Sequence, residues 1–202
     1  MSAVSPTLNQ VAALADRDLV TRAIRGRDDG FEELVRRYQR PIVSYVYRMT
    51  GNYDSALDLT QEVFIKVYGS LARYRPEYKF STWIYRIAHN TAIDHLRRQS
   101  TREQELHAQS ADGDTYERPV ASDAPTPEQL SERAERRAEI EDVIQSLPSS
   151  YRELIVLRHA HDMSYDEIAE VTGLPLGTVK NRIFRAREAM RAPLRERGIA
   201  AM

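Results

Sequence analysis

The sequence predicts an all-α protein of two small helical domains, a four-helix unit followed by a helix-turn-helix unit, joined by a flexible acidic linker. Three observations predict it. Apolar residues recur at three- and four-residue steps on both sides of the chain's middle. The stretch "SADGDTYERPVASDAPTPEQ" has no apolar stripe, and charge alternates basic, acidic, basic along the chain. The boundaries read as a flexible N-terminus over 1–15, a first domain over 16–100, the linker over 101–136, a second domain over 137–195 and a tail over 196–202.

A short helix is predicted around Leu19 to Ile24. Phe31, Leu34, Val35, Tyr38, Ile42, Tyr45, Val46 and Met49 then mark one long amphipathic helix, bent at Pro41 and ending before Gly51. Ala56, Thr60, Val63, Val67 and Leu71 stripe a third helix. Ser81 is the expected N-cap of a fourth, which runs through Ile84, Ile87, Ala88 and Thr91.

The linker's Pro, Ser, Asp and Gly cannot bury enough surface to offset the entropy of ordering them. The apolar pattern resumes at Ile140, Val143, Ile144 and Leu147, stops at Pro148, and returns at Tyr151, Leu154, Ile155 and Leu157. Ser164 and Glu167 are spaced as a capping box for a short helix that Gly173 can close, and Pro175 suits the first turn of the last helix.

Composition narrows the chemistry. The 202 residues include no cysteine, which removes disulfides, thiolate metal sites and cysteine nucleophiles and fits a reducing compartment. No apolar run reaches the roughly 18 residues of a membrane span, and the N-terminus lacks a basic segment followed by an apolar one, so a soluble, cytoplasmic protein without membrane insertion is expected. The formal net charge of -1 hides segregation: Arg73 to Arg98 carries +4, Thr101 to Asp142 carries -7, and Lys180 to Arg197 carries +5.

The last two helices form a helix-turn-helix by spacing, the second buried through Val179, Ile183, Ala186 and Met190. At 100° per residue, Asn181, Phe184, Arg185 and Glu188 point away from that stripe, with Lys180, Arg182 and Arg187 on its shoulders. Such a face suits a major groove. Arg185 matches guanine edges, Asn181 and Glu188 match adenine or cytosine edges, and the flanking bases match phosphates.

In the first domain, turning the third helix's stripe inward leaves Asp58, Gln61, Glu62 and Ile65 together on the outer face, a mixed patch that fits a protein partner. The fourth helix turns Arg86, His89 and Arg97 outward, with Asn90 and Trp83 at the edge, behind the loop "ARYRPEYK". Aromatics beside bases suit single-stranded DNA, although Trp83 fits a core position equally well. The histidines build no catalytic or metal site. His159 and His161, two residues apart, diverge by about 200° on a helix. His89, Asp94 and His95 have no serine or cysteine nucleophile, phosphate loop or acid pair beside them. No catalytic residue, metal or cofactor is expected.

"SLPSSYRELIVLRHAHDMSYDEIAEVTGLPLGTVKNRIFRAREAMR" closely resembles region four of the bacterial extracytoplasmic-function sigma factors, most specifically in "GTVKNRIFRARE". "DLTQEVFIKVYGSL" and "FSTWIYRIAHNTAIDHLRR" resemble the polymerase-binding helix and the -10 recognition helix of their region two. The resemblance implies a sigma factor that binds core RNA polymerase and directs promoter-specific initiation in a stress or envelope response. It implies -35 contacts by Thr178, Lys180, Asn181, Arg182, Phe184, Arg185 and Arg187. It implies -10 contacts by Arg75, Lys79, Trp83, Tyr85, Arg86, Asn90 and Arg97, with Asn90 helping to hold an unstacked base. Asp58, Gln61, Glu62 and Ile65 would meet the clamp-helix coiled coil of the polymerase, and an anti-sigma factor is a further implied partner. The alternative is a stand-alone helix-turn-helix activator whose first domain senses a ligand or dimerises.

Overall fold

The computed structural model describes residues 14–109 and 128–199, which contain helices and no strand. Helix α1 spans Asp16–Ile24, with Asp16 and Asp18 in its first turn and Arg22 in its last, each charge opposing the nearer pole of the helix dipole. Helix α2, Asp28–Thr50, is continuous through Pro41. The two approach closely at Gly30, where a Cβ would lie 2.6 Å from the Leu19 carbonyl oxygen and 2.8 Å from the Arg22 Cβ. Charged side chains fasten the same corner: Arg37 donates to Asp16 at 2.7 Å, and both Arg36 and Arg37 donate to Glu33. The bond from Arg36 is the main reason the Glu33 carboxyl is held down to about 2, against the opposing effect of burial.

Helix α3, Tyr53–Ser70, is capped by Asn52, whose side chain accepts from the Ser55 N–H at 2.8 Å. Its predicted stripe is buried throughout: Ala56, Thr60, Val63 and Val67 face inward, and Leu71 follows in a 3-10 turn over Leu71–Arg73. Helix α4 runs Phe80–Gln109. It starts one residue before the expected cap at Ser81, because the Phe80 ring is itself a core anchor, 2% exposed and edge-on to Tyr38 and Tyr74.

The second unit comprises α5 (Glu128–Ser146), α6 (Ser149–Ile155), α7 (Tyr165–Thr172) and α8 (Leu176–Glu196). Between α6 and α7 the helical path widens into a π turn over Val156–Ala160. Both halves of the expected capping box are present: the Glu167 N–H donates to the Ser164 hydroxyl at 3.2 Å, and the Ser164 N–H donates to the Glu167 carboxylate at 2.8 Å. Gly173 ends α7 at φ 72°, a left-handed conformation that costs glycine little. Pro175 sits just before the first residue of α8. Helix extends into the span read as linker at both ends, to Gln109 and from Glu128; residues 110–127, which hold most of its Pro, Ser, Asp and Gly, lie outside the described residues, as do 1–13 of the N-terminal segment.

The two units pack on each other, α4 against α7 and α2 against α5 and α6, and their buried apolar residues form one contiguous cluster. Arg48 of α2 donates to Glu141 at 2.6 Å, Gln145 donates to the Arg48 carbonyl at 3.0 Å, and Arg152 donates to the Met49 carbonyl at 3.2 Å. This packing corrects one sequence expectation. His89 does not face outward; it is 8% exposed, beside Tyr45 of α2 and Glu153 of α6.

Candidate nucleic-acid interface

Helix α8 is built as its periodicity requires. Val179, Ile183 and Ala186 are buried and Met190 is packed against the core, so the opposite face is turned to solvent. Lys180, Asn181, Arg185, Arg187 and Glu188 are exposed there, and Thr178 and Arg182 lie half-buried at its edges. Phe184 is 64% exposed, an apolar ring among bases that contributes little to the core. Gly177, Thr178, Asn181, Arg182 and Arg185 line one concave surface together with Tyr151 of α6, a residue that the sequence motifs do not single out. Arg187 leans toward His159, its guanidinium 3.3 Å from the His159 Nε2. Burial first, then the charges of Arg187 and Arg158, lowers the pKa of that imidazole and favours the neutral form that can accept.

The face on α4 is more divided. Trp83, Arg86, Asn90 and Arg97 fall within about 60° of one another around the helix axis, and Arg86, Asn90 and Arg97 are exposed. Trp83 is half-buried, its ring 5.4 Å from Tyr74 and 5.6 Å from Phe80, so one side packs and the other is open. Arg75 and Tyr78 are exposed in the preceding loop, where the Tyr74 hydroxyl donates to the Tyr78 carbonyl at 2.6 Å. Lys79 is paired with Glu167 of α7 at 2.8 Å. Tyr85 lies on the far side of α4, 4% exposed, between Tyr45 and His161. Six of the seven residues therefore lie along one side of α4 and its entry loop, and Tyr85 does not join them.

On α3, Asp58 and Gln61 are exposed, Glu62 is paired with Lys66 at 2.7 Å, and Ile65 is 72% exposed. Tyr68, 60% exposed, extends this apolar spot and rests edge-on against Phe31. Exposure of Ile65 and Tyr68 one turn apart is unusual for residues that have a core available, and it continues the mixed patch by a residue the stripe alone does not indicate.

Family comparison agrees with this division of the chain. The Sigma-70 region 2 family matches residues 34–102, and the family described as Sigma-70, region 4 matches residues 137–190. The RNA polymerase sigma-H factor of Pseudomonas aeruginosa is 39% identical over 176 residues, which is 87% of this chain and 91% of that protein. The ECF RNA polymerase sigma factor SigW of Bacillus subtilis is 38% identical over 174 residues, 85% of this chain and 92% of its own. The chain belongs to the extracytoplasmic-function sigma factors. Among solved structures, CnrH in complex with the cytosolic domain of CnrY is similar to this sigma factor at a TM-score of 0.66 and 26% identity, covering 91% of this chain and 99% of that one. The family is one of transcription initiation factors and not of enzymes, and a region 2 match over the first unit does not favour the stand-alone activator. No described helix of this sigma factor is long and apolar enough to cross a membrane.

Proposed function

We propose that this sigma factor docks on core RNA polymerase through Asp58, Gln61, Glu62 and Ile65 of α3, reads the -35 element with α8, and captures the -10 element with α4 and the loop before it. In this reading Arg185 and Asn181 meet base edges, Phe184 meets a thymine methyl, and Thr178, Lys180, Arg182 and Arg187 meet phosphates. Asn90 satisfies the edge of an unstacked base, Trp83 offers its open side for stacking, and Arg75, Lys79, Arg86 and Arg97 track the backbone. Tyr85 serves this site by packing rather than by touching DNA. Bond formation is left to the polymerase, and the protein works in the cytoplasm.

The observation that carries the reading is the simultaneous exposure of two nucleic-acid faces on one chain, Asn181, Phe184 and Arg185 on α8 and Arg86, Asn90 and Arg97 on α4. An anti-sigma factor is part of the proposal; the sigma factor RpoE of Bartonella quintana, which shares the fold at a TM-score of 0.63 and 19% identity, is seen in complex with the anti-sigma factor NepR. Run-off transcription with purified core polymerase and genomic fragments tests it. Discrete start sites preceded by two shared sequence elements are expected. Duplex binding by the chain without any initiation by core polymerase would return the activator reading.

A further inference from the structure

We infer that the contact between the two units is a latch that holds the free chain too compact to engage both promoter elements, and that opening it is coupled to polymerase binding. The inference rests on the sigma reading above, and its first support is size. A folded body of this length measures on the order of 40 Å across. Elements named for positions -35 and -10 lie about 25 base pairs apart, or roughly 85 Å at about 3.4 Å per base pair. The closed body cannot span them, although both of its nucleic-acid faces are exposed. Closure therefore acts by separation and not by masking.

The chemistry of the seam is that of a reversible contact. Tyr85 hydrogen-bonds His161 at 2.6 Å, Lys79 pairs with Glu167 at 2.8 Å, Arg48 pairs with Glu141 at 2.6 Å, and His89 lies 3.7 Å from Glu153. Two of these groups are held against their solvation: Glu153 is 6% exposed with no arginine or lysine bonded to it, and the buried Nε2 of His161 has no hydrogen-bond partner among the described residues. Each gains water when the units part, which offsets part of the cost of re-exposing apolar surface. Lys79, placed among the -10 contacts, meets the Glu167 carboxylate where a phosphate would otherwise sit. That exchange of one anion for another lets DNA or polymerase compete with closure.

The chain has no native cysteine, so Asp54→Cys and Arg195→Cys, both at exposed positions, accept a fluorophore pair that reports the separation of the units. Two latch variants avoid the residues assigned to DNA or polymerase. His161→Ala with Glu167→Gln removes the acceptor of Tyr85 and the partner of Lys79 while glutamine preserves the α7 cap. Glu141→Lys opposes Arg48 at the surface and serves if the first variant folds poorly. Both are expected to lengthen the fluorophore distance in the free chain and to raise core polymerase affinity; about a tenfold rise corresponds to a parent that is roughly nine-tenths closed. Affinities for a random-sequence single strand and a random-sequence duplex, each measured alone, should stay within about twofold of the parent, since neither face is masked. An unchanged distance or polymerase affinity overturns the latch, and a marked rise in single-strand affinity overturns closure by separation in favour of masking. Whether the parent binds core polymerase at all tests the sigma reading; only the difference between parent and variants tests the latch.

Discussion

The Tyr85 hydroxyl stands 2.6 Å from Nδ1 of His161, with the two rings 4.7 Å apart, across 76 residues of sequence. Beside them the Tyr45 hydroxyl lies 3.3 Å from Nδ1 of His89, which in turn faces Glu153. Burial is the main cause of three shifts here: His89 and His161 fall from 6.5 to about 4, and Glu153 rises from 4.5 to about 7. Near neutral pH the histidines are uncharged, and Glu153 is close to half-protonated. The other charges facing this cluster are Arg48 and Asp162 at His161 and Arg182 at Glu153.

These shifts fix a pH dependence. Each histidine contributes stability that is present above 6.5 and is lost as pH falls toward 4, whereas Glu153 contributes stability present below 4.5 that is lost as pH rises through 7. Two histidines outweigh one carboxyl on the acid side, so these groups place maximal stability near pH 6.5, the ordinary value of the histidines. Melting temperatures recorded across this range should show Glu153→Gln removing the decline above that maximum and His161→Ala shallowing the fall below it. A parent profile flat between about pH 5 and pH 7 would be inconsistent with the buried cluster.

On α8, Arg185→Ala is expected to weaken one base preference within the -35 element by about 1 to 3 kcal/mol. Lys180→Ala should lower binding evenly across sequences and reduce the salt slope by about one unit. Competition binding on a panel of single-base promoter variants at several salt concentrations separates the two. Losses that ignore sequence in both variants would move Arg185 from the base edges to the phosphates.

For the polymerase face, Ile65→Glu is expected to lower core affinity while changing stability by less than about 0.5 kcal/mol, since the side chain is 72% exposed. Glu62→Lys should weaken docking as well, with the added effect of placing like charge beside Lys66, its present partner. Core-binding titrations next to thermal melts check both; normal affinity in Ile65→Glu would free this patch from the polymerase.

Asn90→Ala is expected to reduce open-complex formation on duplex promoters, and a pre-melted bubble should restore it only in part, because a bubble bypasses melting and not base capture. Trp83→Ala should lower activity and cost about 2 kcal/mol of stability, less than a fully buried ring would, because one side of the indole is open. Permanganate footprinting and transcription on both templates provide the readout. Parent-like behaviour of Asn90→Ala on each would remove it from the base pocket.

Periodicity carries the helices because each stripe has a local cause. The buried face of α3 and that of α8 follow from 3.6-residue spacing alone, and the capping box at Ser164 is a contact between residues three apart. His89 shows where such reasoning stops. Its outward phase is correct for an isolated four-helix unit, yet the second unit covers that side with Glu153. Glu167 is legible as a cap, but its pairing with Lys79 spans 88 residues and has no local signature. Tyr85 joins the -10 residues by its motif, while helical phase puts it on the opposite side of α4. The start of α4 at Phe80 likewise depends on rings from α2 and the preceding loop.

The π turn at Val156–Ala160 makes chain length a determinant of the quaternary-like arrangement within this one polypeptide. A wide turn of this kind is equivalent to one residue inserted into an α-helical ladder, and a single residue subtends about 100°. Deleting one position there would let α6 continue in ordinary register, rotating His161 away from Tyr85 and carrying α7 and α8 with it. Each unit would keep its own capping and core contacts, but their mutual address would disappear. The segment thus acts as a mechanical key, cut by residue count more than by residue identity.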